Sequence, residues 1–220
     1  MNRNFRFLDI ITAFFVAVLL ISNVASSKIV QVGPLSLDGG TFLFPLTYIF
    51  GDILTEVYGF RKARRVIWLG VFANLLMAVI FMIVGVLPSA ADWPNQASYM
   101  AILGWTPRIV LASITAYFLG EFTNSVILSR LKIFTKGKHL WSRTIGSTLV
   151  GQLVDTLVFI TIAFAGLLPN ELLITLIISN YLFKTGVEIL FTPITYKVVN
   201  FLKKSEHEDH YDKNVAYTPI

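Results

Sequence analysis

From Val66 to Ala91 the chain carries no charged side chain. A run of roughly 20 mostly apolar residues is what a helix needs to cross the hydrocarbon of a bilayer. Five other stretches approach this pattern, so the expected membrane segments are Leu8–Ser27, Gly40–Tyr58, Val66–Leu87, Arg108–Ser129, Thr144–Leu167 and Leu172–Val199. Composition agrees: 55% of residues are hydrophobic and 14% charged, against about 25% charged in an ordinary soluble domain. The expected fold is an all-α membrane protein with six transmembrane helices. Residues 1–203 form the membrane domain and residues 204–220 a polar, disordered cytoplasmic tail.

Basic residues orient such a bundle, because loops rich in Lys and Arg stay in the cytoplasm. With both termini inside, all but three of the 18 basic residues fall on cytoplasmic segments, among them Arg61, Lys62, Arg64, Arg65, Arg130, Lys132, Arg143, Lys203 and Lys204. The exceptions are Lys28 and Arg108 at outer helix ends and Lys184 inside the sixth helix. The formal charge of +5 therefore reads as topology and attraction to anionic lipid, not as a nucleic-acid footprint. Arg3 and Arg6 precede the first apolar run, as in a signal peptide, and Val24-Ala25-Ser26 would serve as a weak cleavage site. The segments that follow make a retained first helix the more natural reading. The stretch Pro88–Pro107 contains Trp93, Tyr99 and Trp105, residues suited to the outer interface.

Six ionisable residues lie at bilayer depth, away from the ends of the apolar segments: Asp52, Glu56, Glu121, Asp155, Lys184 and Glu188. Each costs at least about 2.5–3.5 kcal/mol to place at mid-depth, so such groups face the bundle interior or a wet cavity. Their spacing gathers them on helix faces, since residues three or four apart are neighbours. Tyr48, Asp52 and Glu56 form one stripe; Tyr117, Glu121 and Asn124 a second; Thr148, Gln152 and Asp155 a third; Asn180, Lys184 and Glu188 a fourth. Helix one adds Ser22, Asn23 and Ser26. Asp155 and Lys184 fall near the midplane at a rise of about 1.5 Å per residue, and Asp52 and Glu121 slightly inward. Lys184 can pair with Asp155 or with Glu188, but one lysine cannot neutralise five acids. A polar midplane binding site reached by water is the expectation. Pro45 and Pro193 lie within segments two and six, where each removes a backbone hydrogen bond and bends a helix.

Several chemistries are excluded. The chain has no cysteine, which removes thiolate metal sites and a Cys nucleophile. His139, His207 and His210 all lie in loops or the tail, and no H-E-x-x-H or G-x-S-x-G pattern occurs. Asp52 lacks the G-x-G-D context of an intramembrane aspartyl protease, because residue 49 is Ile. There is no nucleotide-binding loop. No enzyme, cofactor or resident metal is expected; the acidic run from His207 to Asp212 reads as solvated tail.

Certain runs are similar to one family. They are Asn23 to Lys28, Phe44-Pro45-Leu46-Thr47-Tyr48, Asp52-Ile53-Leu54-Thr55-Glu56-Val57-Tyr58-Gly59 and Ala63-Arg64, with Arg108-Ile109-Val110-Leu111-Ala112-Ser113, Gly120-Glu121, Ser147 to Thr156 and Asn180-Tyr181-Leu182-Phe183-Lys184. Together they resemble the queuosine precursor transporters, a branch of the vitamin-uptake-type membrane proteins, over about Leu8 to Lys203. The resemblance implies six helices in a prokaryotic plasma membrane and uptake of 7-cyano-7-deazaguanine or 7-aminomethyl-7-deazaguanine, with queuine in some relatives. A deazaguanine presents two donors on one edge that a single carboxylate, Asp52 or Asp155, can accept. Gln152, Asn180 or Lys184 can donate to its carbonyl oxygen, and Phe44, Tyr48 or Tyr181 can stack on the ring. Glu121 can meet an aminomethyl cation, Arg108 can attract the ligand at the outer end, and Asn23 completes the candidate set. The partners expected are a small-molecule substrate and the lipid bilayer, with the chain alone or as a homodimer. Two other readings stay open: the substrate-binding component of an energy-coupling-factor vitamin transporter, and a proton-coupled carrier of another small solute.

Overall fold

In lipid every backbone polar group must find its partner within its own segment, so apolar runs of this length become helices. A computed structural model describes residues 5–25, 28–32, 35–104, 107–166, 169–212 and 217–218. Its helices are α1 (Leu8–Ala25), α2 (Phe44–Tyr58), α3 (Phe60–Val86), α4 (Gln96–Leu103), α5 (Pro107–Phe134), α6 (Leu140–Phe164) and α7 (Asn170–Glu206). Each of the six expected segments holds one of the longer helices, and α4 is a short addition between α3 and α5. Its approach is fixed by Gln96, whose amide donates to the Gly85 carbonyl at 2.7 Å. The protein is an all-α membrane protein with one exception. Strands β1 (Ile29–Val32) and β2 (Leu35–Asp38) form an antiparallel hairpin, Ile29 opposite Asp38 and Val32 opposite Leu35, which the sequence reading did not anticipate.

Five helices, α1, α3, α5, α6 and α7, are long and apolar enough to cross a membrane. Helix α2 is different. Its 15 residues rise only about 22 Å, short of the roughly 30 Å hydrocarbon layer. A 3-10 turn, Gly39–Phe42, precedes it. Pro45 stands in its first turn, where the missing N–H costs nothing; the expected bend is absent at Pro45, whereas Pro193 does lie inside α7. Helix α2 is the centre of the bundle, packed against α1, α3, α5 and α7. By contrast α3 exposes Leu69, Phe72, Leu76, Ile83 and Val86, an apolar surface that a bilayer covers.

Helices α2 and α3 are joined by Gly59 alone, with φ of +86°, a conformation that other residues rarely adopt. The end of the bundle where α1 begins and α7 finishes is closed by residues that were expected to be disordered. Helix α7 continues past Val199 to Glu206, whose carboxylate accepts the backbone N–H groups of Arg6 and Phe7 at 3.0 and 2.7 Å. Beyond it, Asp212 is buried and accepts the Phe60 N–H at 2.8 Å, which caps the start of α3. Asp209 lies 2.6 Å from Lys132 and 2.9 Å from Lys203. Burial alone would raise the Asp209 carboxyl, but its hydrogen bonds from those two lysines outweigh burial and hold it below the usual range. The tail docks because its acids meet unsatisfied helix-start donors and buried cations, not because it is apolar.

Candidate functional site

The polar side chains inside the bundle form three groups at different depths. The middle group gathers at the crossing of α5 and α6. A Cβ on Gly120 would stand 2.7 Å from Cβ of Asp155 and 3.0 Å from the Gly151 carbonyl oxygen, and one on Gly151 would stand 3.0 Å from the Gly120 carbonyl. Two hydrogen-only side chains thus let the backbones touch, and that contact carries Asp155 toward α2. The Tyr48 hydroxyl donates to the Gly151 carbonyl at 3.3 Å. Gly120→Ala is expected to push the helices apart at a cost of about 1–3 kcal/mol, read as a lower unfolding midpoint in detergent. Gly146→Ala, whose added carbon would meet only Leu131 at 3.5 Å, is expected to leave that midpoint unchanged or raise it.

Around this crossing, Lys184 Nζ lies 2.7 Å from Asp155 Oδ2 and 4.6 Å from the centre of the Phe44 ring. Phe44 in turn leans on Tyr48 with ring centres 6.1 Å apart. Asn124 donates to Asp52 Oδ1 at 2.8 Å, and the Glu121 carboxylate lies directly against Gly51. The structure therefore brings together Asp52, Glu121, Gln152, Asp155, Lys184, Tyr48 and Phe44, from four helices. Most buried polar groups in a folded protein have hydrogen-bond partners. Here both amide atoms of Gln152, both carboxylate oxygens of Glu121 and of Glu188, Oδ2 of Asp52, and the hydroxyls of Thr148, Thr156 and Tyr117 are buried without one. Such a concentration suits a polar ligand with its own donors and acceptors.

The other predicted residues fall elsewhere. Asn180, one turn from Lys184, is half-buried and donates to the Leu176 carbonyl of its own helix at 3.0 Å. Tyr181 is half-buried beside it. Arg108 begins α5, where the side chains of residues 107–110 lie outside the described residues. Asn23 belongs to a separate group toward the opposite end. Its amide donates to Asn74 at 2.6 Å and its carbonyl accepts from Ser113 at 3.1 Å. These three line a mainly apolar cavity of about 470 Å³, open mouth included, between α1, α3, α4 and α5. None of the central acids lines it.

The third group lies one turn from Asp52 toward the basic end. Glu56, grouped by spacing with Tyr48 and Asp52, is fully buried, and its neighbours are cations. Arg143 Nη2 lies at 2.9 Å, Lys203 Nζ at 2.6 Å and Lys132 Nζ at 3.6 Å. The topology reading had assigned all three to cytoplasmic segments, without signalling that their side chains turn back into the bundle. Sequence reasoning also left Asn124, Thr148 and Thr156 out of the binding set, although the helical stripes already contained Asn124 and Thr148.

With this geometry in hand, the chain was compared with known proteins. Residues 38–198 match the family described as "Putative vitamin uptake transporter". A Bacillus subtilis (strain 168) protein named "Probable queuosine precursor transporter" is 32% identical over 84% of this chain and 81% of its own length. An Escherichia coli (strain K12) "Queuosine precursor transporter" is 28% identical over 82% of each chain. A Haemophilus influenzae protein, also a "Probable queuosine precursor transporter", is 29% identical over 74% of this chain and 68% of its own. No solved structure matches.

Proposed function

The chain belongs to the vitamin uptake transporter family, a family of transporters and not of enzymes, and from that premise we propose that it imports a queuosine precursor, a 7-deazaguanine base, through the group of side chains at the α5–α6 crossing. The observation that carries this reading is that the bundle buries the Asp155–Lys184 pair together with polar atoms that have no partner, both amide atoms of Gln152 and one oxygen of Asp52. A deazaguanine presents two adjacent N–H donors and a carbonyl acceptor. A buried carboxylate takes both donors in a charge-assisted pair, and Gln152 or Lys184 donates to the carbonyl. Phe44 and Tyr48 supply flat surfaces for the ring. A site that hydrogen-bonds a base edge rejects bases lacking those donors far more strongly than shape alone allows.

In this reading the five long helices cross the plasma membrane and α2, together with the 3-10 turn before it, makes one further crossing, with both termini in the cytoplasm. The basic residues of the α2–α3 and α5–α6 junctions and of the α7 end then lie on the anionic inner surface. The Asn23 cavity sits in the outer half and receives the base before it reaches the acids.

The test is uptake in a strain unable to make the precursor, carrying this chain and supplied with each candidate base, scored by queuosine in transfer RNA. Restoration by a deazaguanine at submicromolar to micromolar supply, and its loss in Asp52→Asn with the protein still in the membrane, is the expected result. Restoration with no base preference, or full uptake by Asp52→Asn, overturns the assignment.

A further inference from the structure

Glu188 is a buried acid that recognition of a base does not need. It lies on α7 one turn beyond Lys184, yet that ammonium is engaged by Asp155 and Phe44. Both oxygens of Glu188 and both of Glu121 are without hydrogen-bond partners, and both residues are 0% exposed. The charge of Glu188 acts on Asp52, Glu121 and Tyr48, so the titratable groups facing it come from α2 and α5. The remaining titratable neighbours are Tyr117, on which the charge of Glu121 acts, Asp155, which acts on Glu121, and Glu56, which acts on Asp52. The buried cations nearest in depth, Arg143, Lys203 and Lys132, are engaged by Glu56.

Two ionised carboxylates without a hydrogen bond or counter-ion, in a space closed to water, are strongly disfavoured against their neutral acids. A metal ion is not the remedy, because among the described residues no three acids or histidines are grouped to hold one. Protons are. We propose that Glu121 and Glu188 are the proton-carrying pair of this transporter, so that each base moves inward together with protons held on these two carboxyls. On the inward passage charge is conserved: a carboxylate takes a proton from water on the outer side, travels as the neutral acid through the closed state, and returns the proton to water when the site opens inward; the cycle imports protons because the emptied site turns outward again without them. The substrate's neighbours Asp155 and Lys184 form a balanced pair throughout. Lone acids therefore supply the coupling and the paired ones the recognition.

This rests on the substrate reading above, and the experiment separates the two. The chain is purified and sealed into lipid vesicles with 7-cyano-7-deazaguanine as the probe, a base without an amine cation. Exchange between preloaded unlabelled and external labelled base reports recognition alone. Accumulation driven by an acidic exterior reports coupling, and one coupled proton is worth about tenfold accumulation per pH unit. The expected result is exchange together with accumulation that a protonophore abolishes, and, in Glu188→Gln, exchange with the driven accumulation lost. Base-induced alkalinisation of the outer medium gives the same answer without a variant. Exchange by the unaltered protein with no response to the pH gradient, accumulation that follows a sodium gradient instead, or driven accumulation undiminished in Glu188→Gln, each overturns proton coupling. Absence of exchange with any deazaguanine removes the substrate reading and this proposal with it.

Discussion

Asp155→Asn is expected to lower uptake about 100-fold or more, the equivalent of roughly 3 kcal/mol taken from a buried charged contact. The argument starts from Lys184. Its ammonium has one close anion, Asp155 at 2.7 Å, and its side chain is only 12% exposed. Removing that anion leaves an uncompensated buried cation, and breaking such a pair costs more than the pair contributes. On the proposed reading the protein without its carboxylate also loses an acceptor for the donor edge of the base. The two effects separate in the double variant Asp155→Asn/Lys184→Gln. With neither charge present, the penalty of an orphaned ion disappears, so the amount of folded protein in the membrane should recover. Uptake should not, because the acceptor is still missing. Recovery of both would make the pair purely structural and move recognition away from it.

Glu56→Gln is expected to produce the largest loss of stability of any single change in this chain. One carboxylate oxygen stands within 2.9 Å of Arg143 and 2.6 Å of Lys203, with Lys132 at 3.6 Å. An amide there leaves Arg143 without its anion and leaves Lys132 and Lys203 to share Asp209 alone. A cost of about 3–5 kcal/mol is typical for stripping one partner from a buried ionic group, which for a domain of this size lowers the unfolding midpoint by about 6–20 °C. The measurement is thermal unfolding in detergent. Lys203→Gln should be much milder, since its side chain is 19% exposed and the other two cations remain on Glu56. Equal damage from both would mean that the cluster acts as an indivisible unit.

The helices were legible because their cause is local: an apolar run in lipid has only one way to satisfy its backbone. The central node was partly legible for the same reason. Spacing of three and four put Asp52 with Tyr48 and Lys184 with Asn180 on common faces, and a lone midplane lysine pointed to Asp155. A helix face does not say which neighbour it meets, however, and so Asn23 was assigned to the acids when its partners are Asn74 and Ser113. The Glu56 cluster was hidden by a different effect. Arg143 and Lys132 lie near helix ends, where the sequence shows a cation at the interface but not a long side chain folded back into the bundle. The docked tail was invisible because space for it depends on backbone conformation. Gly59 and Gly137 both have positive φ, and a side chain at either would collide with His210 or Tyr211. Hydropathy has no signal for that.

The central position of α2 has a consequence for how the protein is made. Asn124, Arg143, Lys132 and Lys203, the groups that satisfy Asp52 and Glu56, all follow α2 in the chain. During synthesis α2 leaves the ribosome with two bare carboxylates, each costing at least about 2.5–3.5 kcal/mol in hydrocarbon, and with too few residues to span it. It cannot settle in lipid on its own account. It has to be kept at the wet flank of the insertion apparatus, beside α1 and α3, until the last three helices emerge and enclose it. Assembly of this bundle is therefore late and concerted, and truncated chains ending before α7 should be handed to membrane proteases instead of accumulating.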